Sequence, residues 1–150
     1  MKTINKILVP IDESEEAKKA AEFAADLAKD VGAEVLVITV ISMPRFFSPI
    51  LNMPQNQTIT KKLLEDEEKY VKSYMTPIVE HLSKTGVKAS SKIVKTDISI
   101  VNAIRNTADD EEADLIVIGS TGMTAVKRVL LGSISSSVVT HAHCPVLVVR

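Results

Sequence analysis

Short, continuous apolar runs alternate with longer stretches of helical periodicity along this chain. Lys6-Ile7-Leu8-Val9-Pro10-Ile11 is apolar almost throughout and stops at Asp12, as expected of a strand buried on both faces of a parallel sheet. Ser14 then offers an N-cap, with Glu15 and Glu16 in the first turn. Ala17, Ala20, Ala21, Ala24, Leu27, Ala28 and Val31 follow at helical spacing as far as Gly32, which is placed to end the helix. Glu34 to Ile41 reads as a second strand. Met43 to Thr60, with Pro44, Pro49 and Pro54 among large apolar residues, reads as a long loop serving as a lid or interface or standing disordered. An amphipathic helix is predicted from Lys61 to near Gly86, burying Leu64, Val71, Tyr74, Met75, Ile78 and Leu82, with a kink at Pro77.

The third strand is predicted over Val87–Val94, and a third helix is marked by Ile98, Val101, Ile104 and Ala108. Acid at its end, Asp109 to Glu112, opposes the helix dipole and predicts fraying. Leu115 to Ile118 is the fourth strand, Ser133 to His141 a short helix, and Pro145 to Val149 the last strand. Strictly alternating strands and helices require parallel neighbours joined by right-handed crossovers, so the fold class is α/β, a doubly wound five-stranded sheet. In such a sheet ligands sit beyond the carboxyl ends of the strands where the winding reverses. The residues of interest are then those just after each strand.

At 150 residues the chain is the size of one domain, residues 1–150. A net charge of −1 with dispersed Lys and Arg gives no global field for nucleic acid or an anionic membrane, so any anion must be held by local geometry. No apolar run approaches the length of a membrane span, the opening residues are too short in their apolar part for a signal peptide, and Cys144 is the only cysteine. A cytoplasmic location is expected.

The most informative pattern is Gly119-x2-Gly122-x9-Gly132-Ser133. Two glycines open a loop directly after a buried strand, and the third precedes hydroxyl residues at a helix start. Glycine accepts φ > 0 and lets backbone N–H groups, including that of Ser120, approach a ligand. The first turn over Ser133, Ile134 and Ser135 adds unpaired N–H donors and the positive end of a dipole, which suits phosphate, and Lys127 and Arg128 could assist the outer phosphates. Taken alone, Gly-x2-Gly also fits simple turn glycines and a helix cap.

With these residues in view the chain resembles the universal stress proteins from end to end. Ile7-Leu8-Val9-Pro10-Ile11-Asp12 looks like that family's opening strand, Asp114 to Gly122 like its fourth strand and glycine loop, and Leu131 to Val149 like its close. The complete glycine pattern is similar to that of the ATP-binding members. The resemblance implies strand order 3-2-1-4-5, a homodimer formed through the last strand, and ATP, with Mg²⁺ on its phosphates, as the ligand. It also implies that Pro10, Ile11, Asp12 and the backbone of Val40 line the adenosine end. Thr121 and Thr96 depart from the family's usual His and Gly. Asp12 could accept from a ribose hydroxyl or a base amine, or could cap the helix, a task Ser14 can also perform.

His141, His143 and Cys144 invite a metal reading, but no carboxylate is near in sequence and a site needs three or four converging ligands. No Ser-His-Asp order, catalytic carboxylate pair or Walker lysine is evident, so no catalytic residue is assigned. The reading favoured is an ATP-binding, stress-response switch with at most slow hydrolysis and an unnamed protein partner. The alternatives are an ATP-hydrolysing or adenylate-transferring enzyme and a nucleotide-free interaction protein.

Overall fold

A computed structural model describes residues 3–43, 48–51, 53–123 and 131–150. Its elements in chain order are β1 (Lys6–Pro10), α1 (Glu15–Val31), β2 (Glu34–Ser42), α2 (Ser48–Leu51), α3 (Gln57–Lys84), β3 (Ala89–Thr96), α4 (Ile100–Asp110), β4 (Leu115–Gly119), α5 (Ser133–His141) and β5 (Val146–Val149). The five strands form one parallel sheet in the order β3-β2-β1-β4-β5, as the family resemblance implied. One buried cluster joins Ile7, Val9, Val35, Val37 and Val117 to the helices α1 and α3; the other joins Leu8, Ile38, Ile116 and Ile118 to α4 and α5. The alternation of strand side chains between these two layers is why the runs are apolar without interruption.

Local chemistry explains the first crossover. Ser14 Oγ accepts from the Ala17 N–H at 3.2 Å, two glutamates occupy the first turn, and Gly32 closes the helix with φ of 74°. Six alanines of α1 are buried, which brings its backbone close to the sheet. Ala25 belongs to this stripe, whereas Val31, expected in it, is 40 % exposed in the last turn.

The connection after β2 holds more structure than the sequence reading allowed. Within it lie α2 and a 3-10 turn over Pro54–Asn56, and α3 begins at Gln57 rather than Lys61. The rest of the expected loop, residues 44–47 and 52, lies outside the described residues. α3 continues through Pro77, whose ring is exposed, and buries Val71, Met75 and Leu82; Leu64, Tyr74 and Ile78 are only half-buried. β3 runs two residues later than expected, to Thr96. The acid at the end of α4 is taken up by ion pairs: Glu111 meets Lys92 at 2.7 Å and Lys6 at 3.6 Å, and Lys92 first, with Lys6 after it, holds its carboxyl below the ordinary range.

Candidate functional site

β1 and β2 stay paired as far as Pro10↔Ile38, and β4 and β5 as far as Gly119↔Val149, but β1 and β4 pair only at Ile7↔Leu115 and Leu8↔Ile116. Proline accounts for part of this split. Alternate N–H groups of a strand point to opposite neighbours, and that of Ile11 donates to Ile38 on β2 at 2.8 Å. Residue 10 would therefore donate toward β4, and a proline there has no hydrogen to give. The two strands separate where the winding of the sheet reverses, and a cleft of about 610 Å³ opens between them at the carboxyl edge.

Pro10, Ile11, Asp12 and Val40 line this cleft, and so do Gly119, Gly122, Gly132, Ser133, Ile134 and Ser135. Ser120 does not. It is buried, its N–H donates to Val149 at 2.7 Å, and its carbonyl accepts from Gly132 at 2.6 Å, so it ties β5 and the start of α5 to the end of β4. Lys127 and Arg128 lie outside the described residues. The Ser135 hydroxyl is buried and donates to the Gly119 carbonyl at 2.7 Å, which commits its proton to holding α5 in place.

The glycines act by close approach. None of Gly119, Gly122 and Gly132 has positive φ; among described glycines only Gly32 and Gly86 do. A Cβ on Gly119 would lie 2.8 Å from the Glu16 carbonyl carbon, so this glycine seats α1 against β4. A Cβ on Gly122 would stand 2.8 Å from Asp12 Oδ2, and one on Gly132 would stand 3.3 Å from the Ser120 carbonyl oxygen. Left-handed backbone is therefore not what these three positions use; each stands close against another segment of the chain.

Asp12 is held from both sides of the cleft. Its Oδ1 accepts from the Ser14 N–H at 2.9 Å and from the Ser14 hydroxyl, and its Oδ2 accepts from the Met123 N–H at 3.1 Å. Ser14 does the capping, which leaves the Asp12 carboxylate facing the cleft. Opposite it, α5 begins at Gly132 with no side-chain cap, so its first-turn N–H groups and the positive end of its dipole are directed at the cleft. An uncapped helix start of this kind suits an anion, and the added-Cβ contacts place Gly122 against Asp12 and Gly132 against the Ser120 carbonyl.

Sequence reasoning missed the wall supplied by α3 and β2. Thr39, Glu67, Val71 and Tyr74 line the cleft, as do Thr121 and Met123. The available signals were a threonine within an otherwise apolar strand and a tyrosine within an aliphatic stripe. Burial pushes the Tyr74 phenol up, with a hydrogen bond to Thr39 acting the other way. Among the described residues no three His, Cys, Asp or Glu side chains converge on a metal position; His143 Nδ1 instead lies 3.1 Å from Asp109 Oδ2. Among the described residues no helix is long and apolar enough to cross a membrane.

Comparison with known proteins agrees with this architecture. The family model described as the universal stress protein family matches residues 3–150. A universal stress protein of Methanocaldococcus jannaschii is 34% identical over 148 residues, 97% of this chain and 81% of that protein. The structure of the universal stress protein UspA from Lactobacillus plantarum superposes with a TM-score of 0.83 at 28% identity, covering 100% of both chains. More distant structures share the fold: one from Archaeoglobus fulgidus in complex with dAMP (TM-score 0.67, 23% identity, 99% and 100% covered) and one in complex with cAMP (0.73, 20%, 99% of each). From the family match across nearly its whole length, together with the strand order and the split between β1 and β4, this chain belongs to the universal stress protein family.

Proposed function

We propose that the cleft binds ATP and that the chain works as a nucleotide-dependent regulatory module in the cytoplasm, with at most slow hydrolysis. The observation that carries this reading is the uncapped start of α5 facing a cleft of about 610 Å³, a volume in the ordinary range for small-molecule sites. The first-turn N–H groups of Ser133, Ile134 and Ser135 and the backbone about Gly122 would hold the phosphates, with Lys127 and Arg128 assisting. Pro10, Ile11, Asp12 and Val40 would hold the nucleoside. Bound ATP brings several negative charges and, with Mg²⁺, a divalent cation to this edge. Two distant members of the fold were solved with dAMP and cAMP, which supports an adenine nucleotide as the class of ligand. No catalytic base is assigned.

ATP at about 100 times its dissociation constant is expected to stabilise the fold by about 2.7 kcal/mol, or on the order of 5–10 °C in melting temperature at this size. Differential scanning fluorimetry with Mg²⁺ reads the shift, and mass spectrometry of the ligand released on denaturation identifies what the purified protein carries. An unchanged melting temperature at millimolar ATP would overturn the reading.

The same proposal includes a homodimer through β5. This strand stands at the sheet edge, paired on one side only to β4, with Val146, Leu147, Val148 and Val149 half-buried. An apolar edge of this kind is normally covered, and a two-fold axis makes pairing with its own copy self-closing. Sedimentation equilibrium at micromolar concentration is expected to give twice the chain mass of 16.3 kDa. A monomer with no tendency to associate excludes the pairing.

A further inference from the structure

Both tyrosines of the chain stand on α3, which packs on the face of the sheet opposite α5, and only Tyr74 of the two reaches the cleft. Tyr74 lines the cleft and is only half-buried, although Val71 and Met75 beside it are fully buried. Its ring is supported. Tyr70 meets it edge to face, with centroids 5.9 Å apart and planes at 76°, and the Tyr70 hydroxyl donates to Glu13 in the turn after β1. Thr39, beneath it, is buried and fixed by a 3.1 Å bond from its hydroxyl to the Ile11 carbonyl. A flat apolar ring that is partly exposed to a cleft and held from behind is a preformed surface for another flat ring.

Charge decides which end of a ligand reaches it. Among the described residues no Lys or Arg lines the cleft; Glu67 lines it on the α3 side, with Glu13 nearby, whereas Asp12 is bonded to the Met123 N–H of the glycine loop. The positive end of a helix dipole lies at the other side, at α5. A polyphosphate is drawn to α5 and repelled from the acidic wall, which turns the uncharged base toward Tyr74.

We propose that Tyr74 is the side chain against which the base of the nucleotide packs, with Tyr70 and Glu13 as positioning residues that hold its ring. This rests on the nucleotide reading of the cleft and assigns to α3 a role beyond core packing.

Calorimetry with ATP on the full chain tests it. Tyr74→Phe keeps the ring and is expected to bind within about 3-fold of the parent, whereas Tyr74→Ala is expected to lose roughly 5- to 150-fold, the range of base–aromatic stacking. Tyr70→Phe, which frees Glu13, is expected to lose less. Every loss is confined to ATP: tripolyphosphate, which has no base, behaves alike with the parent and all three variants. In protein labelled with 3-fluorotyrosine the two tyrosines give two fluorine resonances, and the one missing in Tyr74→Phe is expected to move on adding ATP. Tyr70→Phe is expected to displace that same resonance before any ligand is added, the mark of a lost brace. If the parent binds no ATP, the reading of the cleft fails with this inference. If the parent binds but Tyr74→Ala binds equally well, or the Tyr74 resonance stays still, the inference alone is overturned.

Discussion

Gly119→Ala is expected to destabilise the fold by about 3 kcal/mol, lowering the melting temperature by roughly 6–12 °C, although it adds a single methyl group. The added carbon would lie 2.8 Å from the Glu16 carbonyl carbon, 2.9 Å from its oxygen and 3.0 Å from the Ala17 nitrogen. All three are backbone atoms in the first turn of α1, so relief requires moving the helix away from a buried strand rather than turning a side chain. The alanine stripe of α1 leaves no slack for that movement, since Ala17, Ala20, Ala21 and Ala24 are already at most 3% exposed. Urea unfolding followed by circular dichroism measures the change as a lower midpoint at unchanged slope. A loss within about 0.5 kcal/mol, the scatter of an ordinary surface substitution, would show that α1 does not press on β4 at this point.

Gly122→Val and Gly132→Val should separate binding from folding. A side chain at Gly122 first meets the tip of Asp12, which can turn aside, and one at Gly132 meets the Ser120 carbonyl oxygen at 3.3 Å, a contact that a small shift relieves. Both variants are expected to fold. Each nevertheless places a branched group where phosphate must approach the backbone, and ATP affinity should fall at least ~10-fold, about 1.4 kcal/mol. Calorimetric titration of variants with native circular dichroism gives the answer, and parental affinity in a folded variant means that the phosphates bind elsewhere.

These two substitutions also mark where the sequence was readable. The Ser14 cap, the Gly32 stop and the limits of α5 follow from short-range chemistry, and each is where the pattern put it. Gly119, Gly122 and Gly132 all line the cleft, yet none of them has the left-handed backbone that glycine permits. A glycine looks the same in sequence whether it is needed for left-handed backbone or for contact with a distant helix, and the partner of Gly119 is about a hundred residues away in α1. The sequence puts Tyr74 in the core because helical periodicity marks the inward face of a helix without saying whether core or cleft lies under each turn. The start of α3 was missed because Pro54 and the apolar residues before Gln57 suggested irregular chain, whereas the proline sits in a 3-10 turn that leads into the helix.

The split between β1 and β4 also bears on the order of assembly during synthesis. β1, β2 and β3 with their helices come from the first two-thirds of the chain and can pair as soon as they emerge, because each neighbour is one crossover away. The contacts that bring β4 and the loop after it to β1 span far greater separations: Asn5 to Asp114 is 109 residues and Asp12 to Met123 is 111. Closing loops of that size comes late and slowly. Until β4 arrives, the β4-facing side of β1 is an open apolar edge, the kind of surface that invites mispairing on the ribosome. Pro10 leaves that edge one hydrogen-bond donor short, so the residue that separates the strands in the finished protein also gives a stray strand less to hold in the unfinished one.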